Sequence, residues 1–154
     1  MKFSANLGFL WADRPLPDAI RAAKAAGYVA VECHWPYDTP TAETLAALQE
    51  TNLAMLGPNT RRGNTAIGEN GLSALPSREA DARAAIDEAL AYARATNTRA
   101  VHVMAGNTSG PRAGAVFLAN LTYACGQAAP DGITILIEPL NPYNAPGYFL
   151  NSTG

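Results

Sequence analysis

The feature that most constrains the fold is a regular alternation between short apolar runs and longer segments with helical periodicity. The apolar runs occupy residues 3–7, 28–34, 53–57, 99–104 and 133–137. Between the runs, apolar residues recur at helical spacing, as Leu16, Ile20 and Ala23 do after the first run. Apolar strands separated by helices are typical of a parallel sheet that is covered by those helices. The sequence therefore predicts an α/β fold in the order βαβαβαβαβ.

Proline and small polar residues indicate where the helices begin. Thr39 is a candidate N-cap with Pro40 in the first turn, and Ser77 is a candidate N-cap for the helix after the third strand. Residues 58–76 are rich in glycine and polar side chains and show no clear period, which predicts a long loop. Loops of this length are often functional, so we expect either a lid over a site or a tolerated surface insertion.

The number of strands leaves two architectures open. A closed (β/α)₈ barrel has eight strands and typically about 250 residues, whereas this chain has 154 residues and five predicted strands. The chain is then either a complete five-stranded open sheet or one incomplete barrel domain, residues 1–154, that lacks strands six to eight. In both cases the outer strands have free edges, and free edges favour self-association. We therefore expect a chain that either is poorly stable alone or forms a homo-oligomer through the open edges.

Charge and hydropathy exclude several classes of protein. The formal net charge is −2, and lysine and arginine are scattered along the chain, so no nucleic-acid partner is expected. No apolar run approaches the roughly 20 residues of a membrane-spanning helix. The first residues lack the apolar core of a signal peptide. These features predict a cytoplasmic protein with no membrane partner.

Candidate functional residues lie at the carboxyl ends of the predicted strands, where parallel α/β folds place their sites. In chain order they are Asn6 after strand one, Glu32 and His34 on strand two, residues 59–62 after strand three, His102 and Met104 on strand four, and Glu138 with Asn141 after strand five. The two histidines are the only ones in the chain. We expect them to bind substrate oxygens, with a polar role in the core as the alternative.

Glu138 is the strongest candidate among these residues. Five apolar residues precede it and Pro139 follows. An acidic side chain at the rim of a dry interior is costly to leave unpaired, so it needs a metal ion, a cation or a proton. Acid–base catalysis or metal binding would meet that need. The alternative is a structural glutamate paired with an arginine.

Three further features surround these candidates. Glu32 lies two residues before His34 and therefore shares its face of the strand. The loop after His34, from Trp35 to Asp38, has two aromatic side chains and is suited to the floor of a small pocket. Arg61 and Arg62 form a cationic pair in the long loop, and such a pair suits a carboxylate or a phosphate on the substrate.

Five segments, which fall on the predicted strands and the loops that follow them, together resemble the hydroxypyruvate isomerase family. They are residues 3–10, 31–38, 55–61, 101–106 and 137–141. The second of them, Val31-Glu32-Cys33-His34-Trp35-Pro36-Tyr37-Asp38, is the most distinctive. Pro58 is a departure, since a less restrictive residue is expected at the end of strand three. The resemblance spans the whole chain and implies a partial TIM-type barrel of the xylose isomerase-like superfamily.

The resemblance implies an isomerase that interconverts hydroxypyruvate and tartronate semialdehyde through an enediolate. Enzymes of this superfamily use two glutamates near a divalent metal, Mg²⁺ or Mn²⁺. Glu138 matches the first glutamate and is either the base or a metal ligand. The other positions fall on strands six to eight, so weak or absent metal binding and little activity are expected for residues 1–154. His34, Arg61, His102, Asn141 and Asn6 are the predicted substrate-binding residues.

Two other functions are consistent with the same residues. A ketose 3-epimerase of the same superfamily would act on a free sugar in place of a small hydroxy-keto acid. A non-catalytic half-barrel would act by self-association or by pairing with a separate partner chain. A substrate panel distinguishes the first, and light scattering addresses the second.

Overall fold

The computed structural model describes residues 1–153 and confirms the alternating α/β order. In chain order, the elements are β1 (Ser4–Asn6), α1 (Leu16–Ala25), β2 (Ala30–Glu32), α2 (Thr41–Thr51), β3 (Ala54–Met55), a 3₁₀ turn (Thr65–Ile67), α3 (Glu79–Ala95), β4 (Ala100–His102), α4 (Ala113–Ala128), a second 3₁₀ turn (Ala129–Asp131) and β5 (Thr134–Leu136). The five predicted strands and four predicted helices are all present, which is the arrangement of a partial (β/α) barrel.

All strand pairs are parallel, and the strands follow one another in chain order. Strands β1, β2 and β3 form one sheet, and β4 pairs with β5. A parallel bridge between Asn59 and His102 joins the two parts. At this junction the His102 amide donates to the Pro58 carbonyl at 2.9 Å, and the Thr60 amide donates to the His102 carbonyl at 2.9 Å. The five strands thus form one curved parallel sheet.

The two faces of this sheet differ in burial. On the helical side, Val31 and Met55 pack with residues of α1 and α2, and Val101 packs with residues of α3 and α4. On the other side, Ala54 and Leu136 are exposed. The apolar core therefore lies between the sheet and the helices, and the concave face of the sheet is accessible.

Strand β3 is shorter than the predicted run of residues 53–57, although its pairing with β2 continues. The Leu56 amide donates to Val31 at 2.7 Å, and the Gly57 carbonyl accepts from Cys33 at 3.2 Å. Pro58 fits this position because the sheet uses only its carbonyl, which accepts from the His102 amide. Proline lacks an amide hydrogen but keeps its acceptor, so the departure noted in the sequence does not disturb the sheet.

Two predicted helix starts are wrong by one or two residues. Helix α2 begins at Thr41, with the extended Pro40 as its N-cap in place of Thr39. Helix α3 begins at Glu79 because Ser77 has a positive φ of 71° and the N-cap is Arg78. The Arg78 side chain bonds Asp81 in the first turn at 2.6 Å, which ties the helix start without a hydroxyl cap. No helix within residues 1–153 has the length and apolar character needed to cross a membrane.

The loop of residues 58–76 is more ordered than its sequence predicts. It contains a 3₁₀ turn, and its second half, residues 71–74, is buried. The Ser73 and Ala74 amides donate to Met104 and Ala105 after β4, at 3.3 and 2.7 Å. Glu69 is also buried and forms an ion pair with Arg78. The predicted long loop is therefore present, and it is held in place because its backbone pairs with the chain after β4.

Gly71 is the tightest point of this loop and allows a direct test of the packing. Its φ is +110°, and an added Cβ would lie 2.7 Å from the Met104 Cβ and 2.8 Å from its carbonyl carbon. We expect Gly71→Ala to lower the free energy of unfolding by about 3 kcal/mol or more, since strain and overlap combine. Urea denaturation measures this. Gly126→Ala, in the exposed last turn of α4, should raise the free energy of unfolding by about 0.5–1 kcal/mol. Equal effects of the two substitutions would contradict the packing described.

Self-association through the free sheet edges stays a prediction. Within residues 1–153, no strand pairs with the outer edge of β1 or β5, and Leu136 is 44% exposed beside that edge. We expect light scattering of the purified chain to give a mass above that of a monomer. Leu136→Lys should shift the mass towards the monomer, since a charged edge strand disfavours pairing. Leu118→Lys, on exposed α4, is the matched control, and a purely monomeric wild type would refute the prediction.

Candidate functional site

A cavity of about 290 Å³ opens at the carboxyl ends of the strands, on the concave face of the sheet. Its polar lining comes from all five strand ends and comprises Asn6, Glu32, His34, Asn59, His102 and Glu138. Parallel strands point their carboxyl ends to the same edge, so side chains far apart in the sequence meet there. Four of the six predicted site residues, namely Asn6, His34, His102 and Glu138, are thus brought together.

His102 is the most enclosed polar group in the cavity. Its Nδ1 lies 3.1 Å from the Asn59 Oδ1, and because a carbonyl oxygen only accepts, Nδ1 carries the proton. Nε2 is buried and has no partner among the described residues. Burial, followed by the nearby His34, lowers the pKa of His102 to about 4. At neutral pH His102 is therefore a neutral imidazole that is fixed through Nδ1, and its Nε2 is enclosed and unpaired.

His34 lies across the cavity from His102 and owes its position to Gly8. A Cβ at Gly8 would fall 2.1 Å from the His34 Nδ1, so the absence of a side chain there makes room for the ring. Phe9 contacts the ring edge to face at 4.8 Å, and Trp35 stacks at a tilt at 4.9 Å. Burial lowers the pKa of His34, against the opposing effects of Glu32 and Glu138.

Glu138 lies in the cavity, but the environment predicted for it is wrong. Its side chain is 64% exposed, because β5 is the outer strand and Leu136 and Ile137 before it are also exposed. The carboxyl oxygen Oε2 lies 4.0 Å from the His102 Nδ1. Glu138 is therefore an accessible acidic group beside a neutral imidazole, and the cost of burial does not explain it.

Two predicted substrate-binding residues, Arg61 and Asn141, do not line the cavity. The Arg61 guanidinium bonds both carboxyl oxygens of Glu88, at 2.7 and 3.1 Å, lies 3.7 Å from Asp38, and stacks on Tyr37. The Asn141 side chain accepts from the Asn144 amide at 2.9 Å and closes a turn. Both side chains are engaged in structural contacts on the surface.

Asn59 was a candidate because it follows strand three, but neither Asn59 nor Gly8 was among the predicted substrate-binding residues. Asn59 bonds His102 through its side chain, while its amide donates to His34 at 2.8 Å and its carbonyl accepts from the Tyr37 hydroxyl. Its place directly after a predicted strand was a signal that pointed to it. Gly8 had no comparable signal, since its role depends on a side chain 26 positions away.

The described residues do not complete a metal site. Within residues 1–153, no group of three or more histidine, cysteine, aspartate or glutamate side chains is arranged to hold a metal ion. Divalent metals such as Mg²⁺ need about six oxygen ligands in regular geometry, and Glu138 offers one carboxyl group. Binding of Mg²⁺ or Mn²⁺ by the whole protein stays a prediction.

Comparison with known proteins identifies the family of this chain. The family model of the xylose isomerase-like TIM barrel matches residues 20–153. The 2-oxo-tetronate isomerase of Cupriavidus necator is 42% identical over 97% of the chain and 59% of its own length. The hydroxypyruvate isomerase of Escherichia coli is 31% identical over 99% of the chain and 61% of its own length. The chain thus spans about three-fifths of the length of these curated relatives.

A crystal structure gives the same picture of the fold. An AP endonuclease, family 2, from Brucella melitensis superposes with a TM-score of 0.91 at 38% identity, over 97% of this chain and 59% of that one. The partial barrel described above therefore has the same fold as about three-fifths of that solved chain.

The state of His102 is open to a direct test, because the chain has only two histidines. In ¹H–¹⁵N spectra of the imidazoles, we expect His102 to be neutral with its proton on Nδ1, and to titrate near pH 4 because burial disfavours the cation. Asn59→Ala should abolish the Nδ1 preference and leave the His34 signals as an internal reference. A wild-type His102 that titrates near pH 6.5, or that is protonated mainly on Nε2, would refute this geometry.

Proposed function

This chain belongs to the xylose isomerase-like TIM barrel family, and we propose on that premise that it carries the proton-transfer groups of a keto-acid isomerase. The substrate is a small 2-oxo acid such as hydroxypyruvate, and the product is tartronate semialdehyde. The observation that carries the proposal is that an accessible acid, Glu138, lies 4.0 Å from Nδ1 of the neutral His102 in one cavity.

The reaction needs one base for the carbon-bound proton and one group beside the two oxygens, between which the hydroxyl proton moves. Glu138 takes a proton from C3, the hydroxymethyl carbon of hydroxypyruvate, and the electron pair forms a C2–C3 double bond while the C2 oxygen becomes an enolate. Glu138 then returns its proton to C2. The proton of the C3 hydroxyl moves to the C2 oxygen, which leaves an aldehyde at C3 and a hydroxyl at C2, so atoms and charge balance. General acid–base catalysis of this kind contributes about 10²–10⁴-fold in rate.

His102 suits the hydroxyl side of this exchange. Its pKa of about 4 keeps the ring neutral, and Nε2 is the ring nitrogen that has no partner among the described residues. Asn59 fixes the ring through Nδ1, so the acceptor atom is held in one orientation. Pre-positioned hydrogen-bonding groups lower the cost of aligning a substrate, which is the contribution we assign to the Asn59–His102 pair.

We favour an oxo acid over a free ketose, and over a nucleic acid, for two reasons. The curated relatives are named for hydroxypyruvate and 2-oxo-tetronate, both of which are oxo acids. The cavity lining contains two acidic side chains, Glu32 and Glu138, and no lysine or arginine. Contact with a phosphodiester backbone depends on several basic side chains, which this lining lacks.

Exchange of the C3 hydrogens of hydroxypyruvate in D₂O isolates the step assigned to Glu138. We expect the purified chain to accelerate this exchange above the protein-free rate and to convert substrate to product more slowly, because the described residues complete no metal site. Glu138→Gln should lower the exchange rate by roughly 10²-fold or more, since the base is lost. The readout is the decay of the C3 proton signal by NMR.

Glu32→Gln is the matched comparison, because Glu32 lines the same cavity and bonds Ser4 at 3.3 Å. We expect a much smaller loss for that variant. A larger loss in Glu32→Gln than in Glu138→Gln would move the role of base to Glu32. Exchange that stays at the protein-free rate in the wild type, or that is equally fast in both variants, would overturn the proposed function. Dihydroxyacetone exchanged faster than hydroxypyruvate would favour a ketose-acting enzyme.

A further inference from the structure

Arg62 differs from its neighbour Arg61 in having no acidic partner. Arg61 pairs with Glu88 and Asp38, whereas no ion pair joins Arg62 to any acidic side chain of the described residues. Arg62 is only half-exposed, and its Nε donates to the Asn70 Oδ1 at 2.8 Å. A cation that is partly desolvated and paired only with a neutral amide retains its affinity for an anion.

The position of Arg62 is fixed at both its backbone and its side chain. The Arg62 carbonyl accepts from the Gly71 amide at 2.9 Å, which closes the base of the loop. The guanidinium lies over the Trp35 ring at 4.9 Å. Trp35 is itself held, since its indole nitrogen donates to the Thr60 carbonyl at 3.2 Å. The free terminal amino groups of Arg62 are thus pre-organised before any ligand arrives.

This fixed guanidinium lies at the side of the cavity where His34 is found. Both groups contact the same aromatic ring, since Trp35 packs against His34 at 4.9 Å and Arg62 lies over Trp35 at 4.9 Å. The charge of Arg62 reaches His34 and, after burial, adds to the lowering of its pKa. Arg62 is therefore the basic side chain that acts on the cavity, although it does not belong to the lining.

We propose that Arg62, held over Trp35, binds the carboxylate of the substrate and so selects oxo acids over neutral ketoses. This inference rests on the proposed function and names the group that recognises its substrate class. The acidic lining disfavours a second negative charge near Glu32 and Glu138. A 2-oxo acid therefore enters with its carboxylate towards Arg62 and its hydroxymethyl group towards Glu138. Arg62 is a specificity-determining residue, and Asn70 positions it.

Two small ligands that differ only in the recognised group test this proposal. Hydroxypyruvate carries a carboxylate where dihydroxyacetone carries a hydroxymethyl group. Binding of each is followed by the imidazole signals of His34 and His102, which report occupancy of the cavity. We expect Arg62→Gln to weaken hydroxypyruvate binding roughly 10- to 100-fold, as loss of a charge-assisted hydrogen bond does. Binding of dihydroxyacetone should change less than about twofold, since a change of that size is below the loss of a single net hydrogen bond.

Three further variants complete the experiment. Arg62→Lys keeps the charge but loses the planar fork, so an intermediate loss is expected for hydroxypyruvate, and this variant also covers the case in which Arg62→Gln fails to fold. Arg94→Gln, which breaks the distant pair with Asp131, controls for the change in net charge and should bind both ligands normally. Arg61→Gln tests the neighbouring cation directly.

Four outcomes would overturn the proposal. The first is unchanged hydroxypyruvate binding in Arg62→Gln, and the second is an equal loss for both ligands, which indicates a structural role. The third is a loss in Arg61→Gln that matches or exceeds the loss in Arg62→Gln. The fourth is a wild-type chain that binds neither ligand. The last outcome, together with C3 exchange at the protein-free rate, also refutes the proposed function. If C3 exchange and hydroxypyruvate binding are both normal in Arg62→Gln, this inference is refuted and the proposed function is not.

Discussion

The site depends on one short stretch of backbone, residues 58–60, where the two parts of the sheet meet. Strand β4 is joined there to the continuation of β3 through His102, and the same stretch is tied to the chain after β2 through the amide of Asn59. The backbones of both histidines are therefore fixed relative to each other by hydrogen bonds that water cannot easily replace in the interior. The Asn59 side chain then orients the His102 ring, so one residue sets both the sheet junction and the cavity chemistry.

Arg61 and Arg62 are adjacent in the sequence, but the fold gives their side chains different surroundings. Side chains of neighbouring residues in an extended segment point to opposite faces, and Arg61 accordingly reaches Glu88 on α3 while Arg62 stacks on Trp35. The first is neutralised by two acidic groups, and the second keeps its charge near the cavity. The sequence analysis assigned substrate binding to Arg61, because it could not foresee an acidic partner that lies 27 residues away.

The parts of the fold that were predictable are those governed by local pattern. Apolar runs and helical spacing are properties of neighbouring residues, and they located all strands and helices, as well as the strand ends that supply Asn6, His34, His102 and Glu138. The errors concern contacts between distant segments. The order of residues 71–74 comes from pairing with Met104 and Ala105, and the exposure of Glu138 comes from the position of β5 at the outer edge. Neither can be read from the residues nearby.

The space that Gly8 leaves for His34 has an evolutionary consequence. A methyl group at position 8 would occupy the volume of the imidazole, so the two positions cannot vary independently. Lineages that gain a side chain at position 8 must first replace or displace the histidine, and lineages that lose the histidine are released from the need for glycine. Positions 8 and 34 therefore vary together. The residues that a related chain has at these two positions indicate whether this half of its cavity has kept the same chemistry.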